Sequence, residues 1–469
     1  MIKTRFSPSP TGKLHLGNVR AALFSALYAK KMQGRFILRI EDTDEARSQA
    51  SYADLLQTDL QWLGLAWQEG PGVGGEHGPY FQSQRHEIYA EYYQQLEKMD
   101  LAYPCFCTDQ QLALNRKLQL SRGQPPRYPG TCKNLTAAEL ADLLAQGKKP
   151  ALRFKVPKNE KVAFTDLVKG PQVFNSDDIG DFIIRRAEGT ASFMYCNAID
   201  DALMQVTHVL RGEDHLANTP RQLMILNALN LTPAQYGHLS LIIGEDGGKL
   251  SKRGGSFSLN DLKDEGFLPL AVANYLARLS HTYDNQTLMS FDELATHFNV
   301  ERLSRSAARF DQNQLMHWQK EAVLRLTDDE IWHWLGATVK NKISEPAQQM
   351  FVTLIRANVC TPLEAQKWVE IFSVPKLTFT ATQQAVLSAA SVNYFETLKS
   401  LFNQHGLDVK AIFADMKTAL QINGKNLFQP IRLALTGEEH GPELINIVSI
   451  LGLAAVQKRI DDVIELIKE

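Results

Sequence analysis

No stretch of the 469-residue chain approaches the ~18 consecutive apolar residues that a membrane-spanning helix needs, so no integral membrane protein is expected. Its start, Met1-Ile-Lys-Thr-Arg-Phe-Ser-Pro8, has no apolar h-region, and no export signal is expected either. Cysteine is scarce. There are five, an odd number, which argues against a disulfide framework and for reduced thiols in a cytoplasmic protein. A charge excess is missing as well: 50 Lys and Arg face 52 Asp and Glu, a net charge of −2. Total charge therefore gives no sign of nucleic-acid binding, although a basic face can hide inside a balanced sum. Internal repeats and low-complexity tracts are also absent.

What is present is the composition of a globular protein, 44% hydrophobic and 22% charged, with length enough for about three domains. Residues 1–45 read as strand, Gly/Pro loop, helix, strand. Apolar residues recur through Val19–Gln33, Gly34 stands where a C′ glycine belongs, and Arg35–Ile40 follows as a strand. This βαβ start predicts a parallel sheet with crossover helices. Between about 100 and 190 the rhythm breaks into short β-rich segments, a Pro/Gly loop and the capping box Thr136-Ala-Ala-Glu139. Strand–helix alternation returns over 191–260. The expected organisation is an α/β Rossmann-like domain from 1–100 and 191–260 with an insertion at 101–190. A connecting region (261–325) and an all-helical bundle (326–469) follow. Helix starts are read at Thr232-Pro-Ala-Gln235 and Thr327-Asp-Asp-Glu330.

Four motifs carry chemistry. Pro8-Ser-Pro-Thr-Gly-Lys-Leu-His-Leu-Gly-Asn18 lies between the first strand and first helix, where open α/β sheets bind ligands. Gly12 and Gly17 permit close backbone approach, His15 offers a donor, and the helix start favours phosphate. Gly247-Gly-Lys-Leu-Ser-Lys-Arg-Gly-Gly255 is a cationic loop able to close over polyphosphate. Arg39-Ile-Glu-Asp-Thr-Asp-Glu-Ala-Arg47 and Arg211-Gly-Glu-Asp-His215 collect charge at strand ends, as an amino-acid substrate requires. Taken singly, the two charge clusters read as surface salt bridges and the cationic loop as a solvated basic loop.

Together these motifs resemble one family. Phe6-Ser-Pro-Ser-Pro-Thr-Gly with His15-Leu-Gly-Asn18 is similar to the "HIGH" signature of class I aminoacyl-tRNA synthetases. Lys249-Leu-Ser-Lys-Arg253 resembles their "KMSKS" loop. Arg39–Asp44, Arg211–Pro220, Phe310-Asp311 and Asn423–Gly437 resemble the bacterial glutamyl-tRNA synthetase branch. The resemblance implies ATP-dependent attachment of L-glutamate to tRNA through glutamyl-adenylate, with Mg2+ accompanying ATP. It also implies an acceptor-end role for 101–190, stem contact for 261–325, anticodon binding for 326–469, and a monomer. Arg5, Ser7, Ser9, Glu41, Phe193 and Arg211 are implied at the glutamate, and Thr11, Gly12, His15, Gly17, Lys249 and Lys252 at ATP. Of these, His15, Lys249 and Lys252 are the expected catalytic groups.

Three departures from the family pattern stand out. Ala191-Ser-Phe193 replaces Pro-Thr-Tyr before Asp200-Asp201, which removes one hydroxyl from the implied glutamate pocket unless Tyr195 supplies it. The implied zinc set has Cys105, Cys107 and Cys132 but Asn134 where a histidine is usual. Tyr128 is the candidate fourth ligand, as in a shorter relative that modifies tRNA, against three unmetallated thiols as the plain reading. Finally, Asn358 aligns with an arginine that bears on the third anticodon base, with Arg356 nearby. Asparagine at that position implies relaxation toward glutamine tRNA. The short relative lacks a helical second half and glutaminyl enzymes carry a β-barrel there, so neither matches. A catalytically silent tRNA-binding paralogue is the competing reading, and it requires decayed ATP motifs where both are intact.

Overall fold

A computed structural model describes residues 1–43, 48–244, 246–248 and 258–469. They form two compact units, one comprising 1–262 and 272–312, the other 263–271 and 313–469.

The first unit is built on a four-stranded sheet of Arg35–Leu38 (β2), Lys3–Phe6 (β1), His208–Gly212 (β8) and Gln235–Leu239 (β9) in that spatial order, with every pairing parallel. Strand β1 (Lys3–Phe6) is wholly buried, and α1 (Leu16–Lys31) carries the chain over to β2 (Arg35–Leu38). Helices α2 (Ala50–Trp62) and α3 (His86–Lys98) follow. Helix α1 is buried on most sides, because it packs on the sheet and against Phe298. Its start corrects the expected Val19: His15 is the N-cap, in extended conformation. Its end is corrected too. Gln33 is the left-handed residue (φ 51°), donating to Lys30 O at 3.1 Å while Gly34 N donates to Ala29 O at 2.8 Å, a Schellman pair. Gly34 is needed for a different reason, since a Cβ there would sit on the Ile2 carbonyl oxygen.

Residues 102–185 form two small sheets of their own. Strand β3 (Ala102–Cys105) pairs antiparallel with β4 (Ala151–Phe154), and β4 pairs with β7 (Phe182–Arg185). Between them lie α4 (Asp109–Ser121) and α5 (Ala137–Ala145), each opened by a complete capping box, then the hairpin of β5 (Lys161–Asp166) and β6 (Gly170–Asn175) and the short α6 (Ser176–Ile179). The chain re-enters the sheet through α7 (Phe193–Leu203), β8 (His208–Gly212), α8 (Thr219–Ala228) and β9 (Gln235–Leu239). Thr232-Pro-Ala-Gln235 therefore opens no helix. Gln235 pairs with His208, and that ladder overrides a locally plausible capping sequence.

The second unit is helical. Phe351, Phe395, Leu398, Phe402, Ile431 and Ile447 sit in its core. Thr327 caps the helix Asp328–Trp334 through the expected box. Buried Arg459 donates to the carbonyls of Leu435, Ile371 (2.6 Å) and Val374 (3.3 Å), closing carbonyls that helix ends leave without partners. Among the described residues no helix is long and apolar enough to cross a membrane.

Gly34→Ala tests the close approach of β2 to the chain start. The added methyl meets backbone, which cannot rotate away, so the substitution costs ~1–3 kcal/mol or more. Thermal unfolding should show a clear drop in Tm, and an unchanged Tm would show that the contact yields freely.

Candidate active site

In the sheet order β2-β1-β8-β9, α1 carries the chain from β1 to β2 on one side while the later strand β8 lies on the other. Open parallel sheets bind ligands at the carboxyl ends of strands where the order reverses in this way, here β1 and β8. Arg5 and Ser7 come from the end of β1, Arg39 and Glu41 from the end of β2, and Arg211 from β8.

These charges are not solvated. Arg5, Arg39, Glu41, Asp201 and Arg211 are all buried, Arg39 completely. Arg39 Nη1 donates to Asp201 Oδ1 at 2.7 Å and Nη2 to Glu41 Oε1 at 3.3 Å, while Arg5 Nε reaches Asp201 Oδ1 at 3.4 Å. Asn197 donates to the same Glu41 oxygen. One step deeper, Asp200 accepts from Arg85 Nε (2.7 Å), Gln82 Nε2 (2.8 Å) and Tyr89 OH (2.7 Å). Burial opposes the charge on Arg39, but Asp201, Asp200 and Glu41 outweigh it and lift its pKa. Burial likewise presses on Asp201, yet Arg5 and Arg39 hold it below the ordinary carboxylate range. Glu41 behaves differently: burial pushes it up to about 7 against the pull of Arg39 and Arg5.

Arg211 is the exception among these arginines. Its Nη2 donates to Thr219 Oγ1 (2.8 Å) and Gln222 Oε1 (2.7 Å), its Nε to His238 Nε2 (3.2 Å), and none of these partners is a carboxylate. Among the described residues Nη1 is buried with no hydrogen-bond partner, as is Ser7 Oγ. Burial lowers the Arg211 pKa to about 10. A buried cation with one donor left over is a site for an anion.

The first motif's loop follows β1 directly. Thr11, His15 and Gly17 are exposed, and among the described residues nothing beyond their local backbone lies within 4 Å of the place a Cβ would take on Gly12 or Gly17. Ser9 is exposed and accepts from Thr11 N through its carbonyl at 2.9 Å. His15 pairs with Ser258 in an antiparallel bridge, Leu259 N donates to Leu14 O at 3.0 Å, and Lys13 pairs with Asp261 at 2.7 Å. The segment just after the cationic loop is thus pinned to the first motif. Lys249 and Lys252 themselves, with Asp44 to Arg47, lie outside the described residues.

Phe193 opens α7, and its ring centre lies 5.1 Å from that of His215. Tyr195 does not replace the missing hydroxyl: it is buried, stacked on Tyr93 (4.2 Å) and donating to Tyr89 O at 2.8 Å. Phe193 lines a cavity of about 1190 Å3 that also reaches Cys105, Cys107 and Tyr128. There Cys105, Cys107 and Cys132 bring their sulfurs within 4.8 Å of one another. Tyr128 OH lies 3.3 Å from Cys105 Sγ and 3.5 Å from Cys107 Sγ, and accepts from Cys132 N at 2.9 Å. Three thiols gathered this closely, with one phenol beside them, are donors compatible with a zinc ion. In the helical unit, Asn358 is exposed, its side-chain amide donating to Leu354 O at 3.1 Å, whereas Arg356 is engaged with Asp328 and the Leu326 carbonyl.

Comparison with known proteins places this geometry. Residues 1–317 match the catalytic domain of tRNA synthetases class I (E and Q), and residues 331–464 match an anticodon binding domain. The chain belongs to the class I tRNA synthetases of the E and Q family. It is 51% identical to a glutamate–tRNA ligase of Coxiella burnetii over 462 residues, 98% of this chain and 99% of that one. A glutamate–tRNA ligase of Nitrosococcus oceani is 47% identical, covering 99% of this chain and 98% of its own. Among solved structures, the glutamate-tRNA synthetase of Elizabethkingia anophelis superposes with a TM-score of 0.89 at 27% identity, and a glutamate tRNA ligase of Elizabethkingia meningosepticum in complex with its amino acid with 0.88 at 26%. In both pairs 99% of each chain is covered.

Sequence reasoning overlooked Asp166, His238, Asn197, Gln222 and Arg85, none of which stands in a recognisable motif. The paired Asp200-Asp201 after an apolar helix face was the one available signal.

The Glu41 shift has a stability consequence. Its folded pKa (about 7) exceeds the ordinary 4.5, so native protein holds this proton more tightly than unfolded protein. The contribution is fully present below about pH 4.5 and is lost as pH rises through 7, on the order of 3 kcal/mol. Glu41→Gln, which cannot ionise, should therefore gain Tm relative to wild type between pH 5 and pH 8. A difference that stays constant across that range would contradict the assignment.

Proposed function

We propose that this synthetase joins L-glutamate to tRNA. A glutamate carboxylate attacks the α-phosphate of ATP, releasing pyrophosphate and forming glutamyl-adenylate, and the terminal ribose hydroxyl of tRNA then takes the glutamyl group, releasing AMP. The observation that carries the reading is the buried guanidinium of Arg211, whose Nη1 has no partner among the described residues, at the strand ends that also carry the buried Glu41 and are faced by the anionic Asp201. An amino acid with an ammonium and two carboxylates complements both charges. Arg5, Ser7, Ser9, Glu41 and Phe193 complete its surroundings in this proposal. ATP with Mg2+ would occupy the loop of Thr11, Gly12, His15 and Gly17, with Lys249 and Lys252 supplying positive charge against the negative charge that builds at the α-phosphate. Such chemistry relies on positioning and charge stabilisation rather than on a side-chain nucleophile.

The module at 101–190 is assigned to the tRNA acceptor end, 261–325 to the stem and 326–469 to the anticodon, in a cytoplasmic monomer. Cys105, Cys107, Cys132 and Tyr128 would hold one structural zinc, which fixes the β3 end against the Pro/Gly loop and takes no part in the chemistry. Metal-replete protein should carry about one zinc per chain by elemental analysis, and Cys132→Ser should lose it. Chelation should loosen 105–132 in hydrogen exchange while leaving the parallel sheet protected. Protein with well under one zinc per chain would reject the site.

We further propose that Asn358 leaves the third anticodon base loosely read, so that glutamine tRNA is glutamylated alongside or instead of glutamate tRNA. The exposed amide and the engaged Arg356 support Asn358 as the group available to RNA. A long, fixed cation can exclude a base by size and unpaired charge, and a short neutral amide cannot. Charging of both tRNAs with labelled glutamate tests function and specificity together. Wild type should charge both, and Asn358→Arg should shift the kcat/KM ratio toward glutamate tRNA by ~1–3 kcal/mol. Strong preference for glutamate tRNA in wild type, unmoved by the substitution, would remove the specificity claim, and no charging of either would remove the function.

A further inference from the structure

The groups holding Arg211 reach outside the sheet to the hairpin of the inserted module. Asp166, at the end of β5, is buried. Its Oδ1 accepts from Val168 N (2.9 Å), Lys169 N (2.7 Å) and His238 N (3.2 Å), which leaves Oδ2 for His238 Nδ1 at 2.5 Å. His238 is itself fully buried. A carboxylate accepts only, so Nδ1 of the imidazole carries the proton and Nε2 presents a lone pair. That lone pair meets Arg211 Nε, a permanent donor, at 3.2 Å, and Thr219 Oγ1 at 3.0 Å. Burial lowers the His238 pKa against the pull of Asp166, in keeping with a neutral ring beside a cation.

We infer that Asp166 and His238 are positioning residues for amino-acid recognition: Asp166 fixes the His238 tautomer, and His238 fixes the guanidinium plane so that Nη1 of Arg211 faces the substrate carboxylate. The inference rests on the reading of Arg211 as the carboxylate partner. It also assigns the inserted hairpin a part in the glutamate pocket, because Asp166 lies 72 residues before His238 and the adjoining Leu167 N donates to Tyr236 O at 2.8 Å. The Tyr236 ring lies beneath the same guanidinium, 5.0 Å from its carbon. No proton is transferred in this arrangement. Its effect is orientation, so loss should appear in glutamate KM and not in the use of ATP.

Substitutions at His238 separate orientation from packing. Asparagine can imitate Nδ1–H toward Asp166 but offers nothing at the Nε2 position. Glutamine can place its carbonyl oxygen there and accept from Arg211. In tRNA charging with wild-type protein and variants, His238→Asn and Asp166→Asn should each raise glutamate KM ~10-fold or more, the scale of one charge-assisted hydrogen bond. ATP KM should move less than about twofold. His238→Gln should recover most of the loss. Arg211→Gln serves as the control and should raise glutamate KM further. If Arg211→Gln raises it while both Asn variants leave it alone, the positioning role is wrong. If Arg211→Gln itself has no effect, the reading of Arg211 is what fails. Should Asp166→Asn not fold, the comparison of His238→Asn with His238→Gln decides: equal loss in ATP and glutamate KM for both would reduce the pair to packing and overturn the proposal.

Discussion

Four guanidinium groups, those of Arg5, Arg39, Arg85 and Arg211, are buried around the crevice at the carboxyl end of the sheet, and three carboxylates, Glu41, Asp200 and Asp201, are buried with them. Burying a charge without a partner costs several kcal/mol, so such a cluster persists only if its groups are paired and hydrogen-bonded. Arg5, Arg39 and Arg85 reach carboxylates directly. Arg211 does not, and among the described residues it is held by a histidine, a hydroxyl and an amide. Among the described residues Arg211 thus has no carboxylate in direct contact, since Asp166 reaches it only through His238, and the rest of the account follows from its open Nη1 donor. A substrate carboxylate completes the cluster, which gives binding energy and selectivity against neutral side chains from the same contact.

The scaffold explains why the charges tolerate their position. Parallel strands β1, β2 and β8 end side by side, so residues far apart in sequence deliver their side chains to one edge without any loop having to fold over them. Helix α7 adds Asn197, Asp200 and Asp201 from a single face, while α8 adds Thr219 and Gln222. Groups fixed on strands and helices are costly to reorganise, which is the condition for preorganised recognition.

Much of this was legible in the sequence, for local reasons. The βαβ start, the charged runs after apolar strands and the Thr-x-x-Glu boxes are short-range signals; Glu41 and Arg211 stand in such runs, whereas Arg5, inside β1, was named only through the family resemblance. The failures are equally physical. Thr232-Pro-Ala-Gln235 has the local chemistry of a helix start, but Gln235 is claimed by pairing with β8. Gly34 looked like a helix terminator, and its actual constraint is the Ile2 carbonyl over thirty residues away in the chain. Asp166 reads as an ordinary turn aspartate, and its bonds to Val168 N and Lys169 N fit that description. Only the second carboxylate oxygen, on His238, ties it to the site, and no sequence pattern announces a contact of that range.

The most direct test of the account is a crystal structure of the protein with L-glutamate bound. It predicts a glutamate carboxylate oxygen at ~2.7–3.2 Å from Arg211 Nη1, the ammonium directed toward Glu41, and the His238 and Asp166 bonds unchanged. Glutamate seated elsewhere, or bound in the crevice with Nη1 of Arg211 still unpartnered, would contradict it.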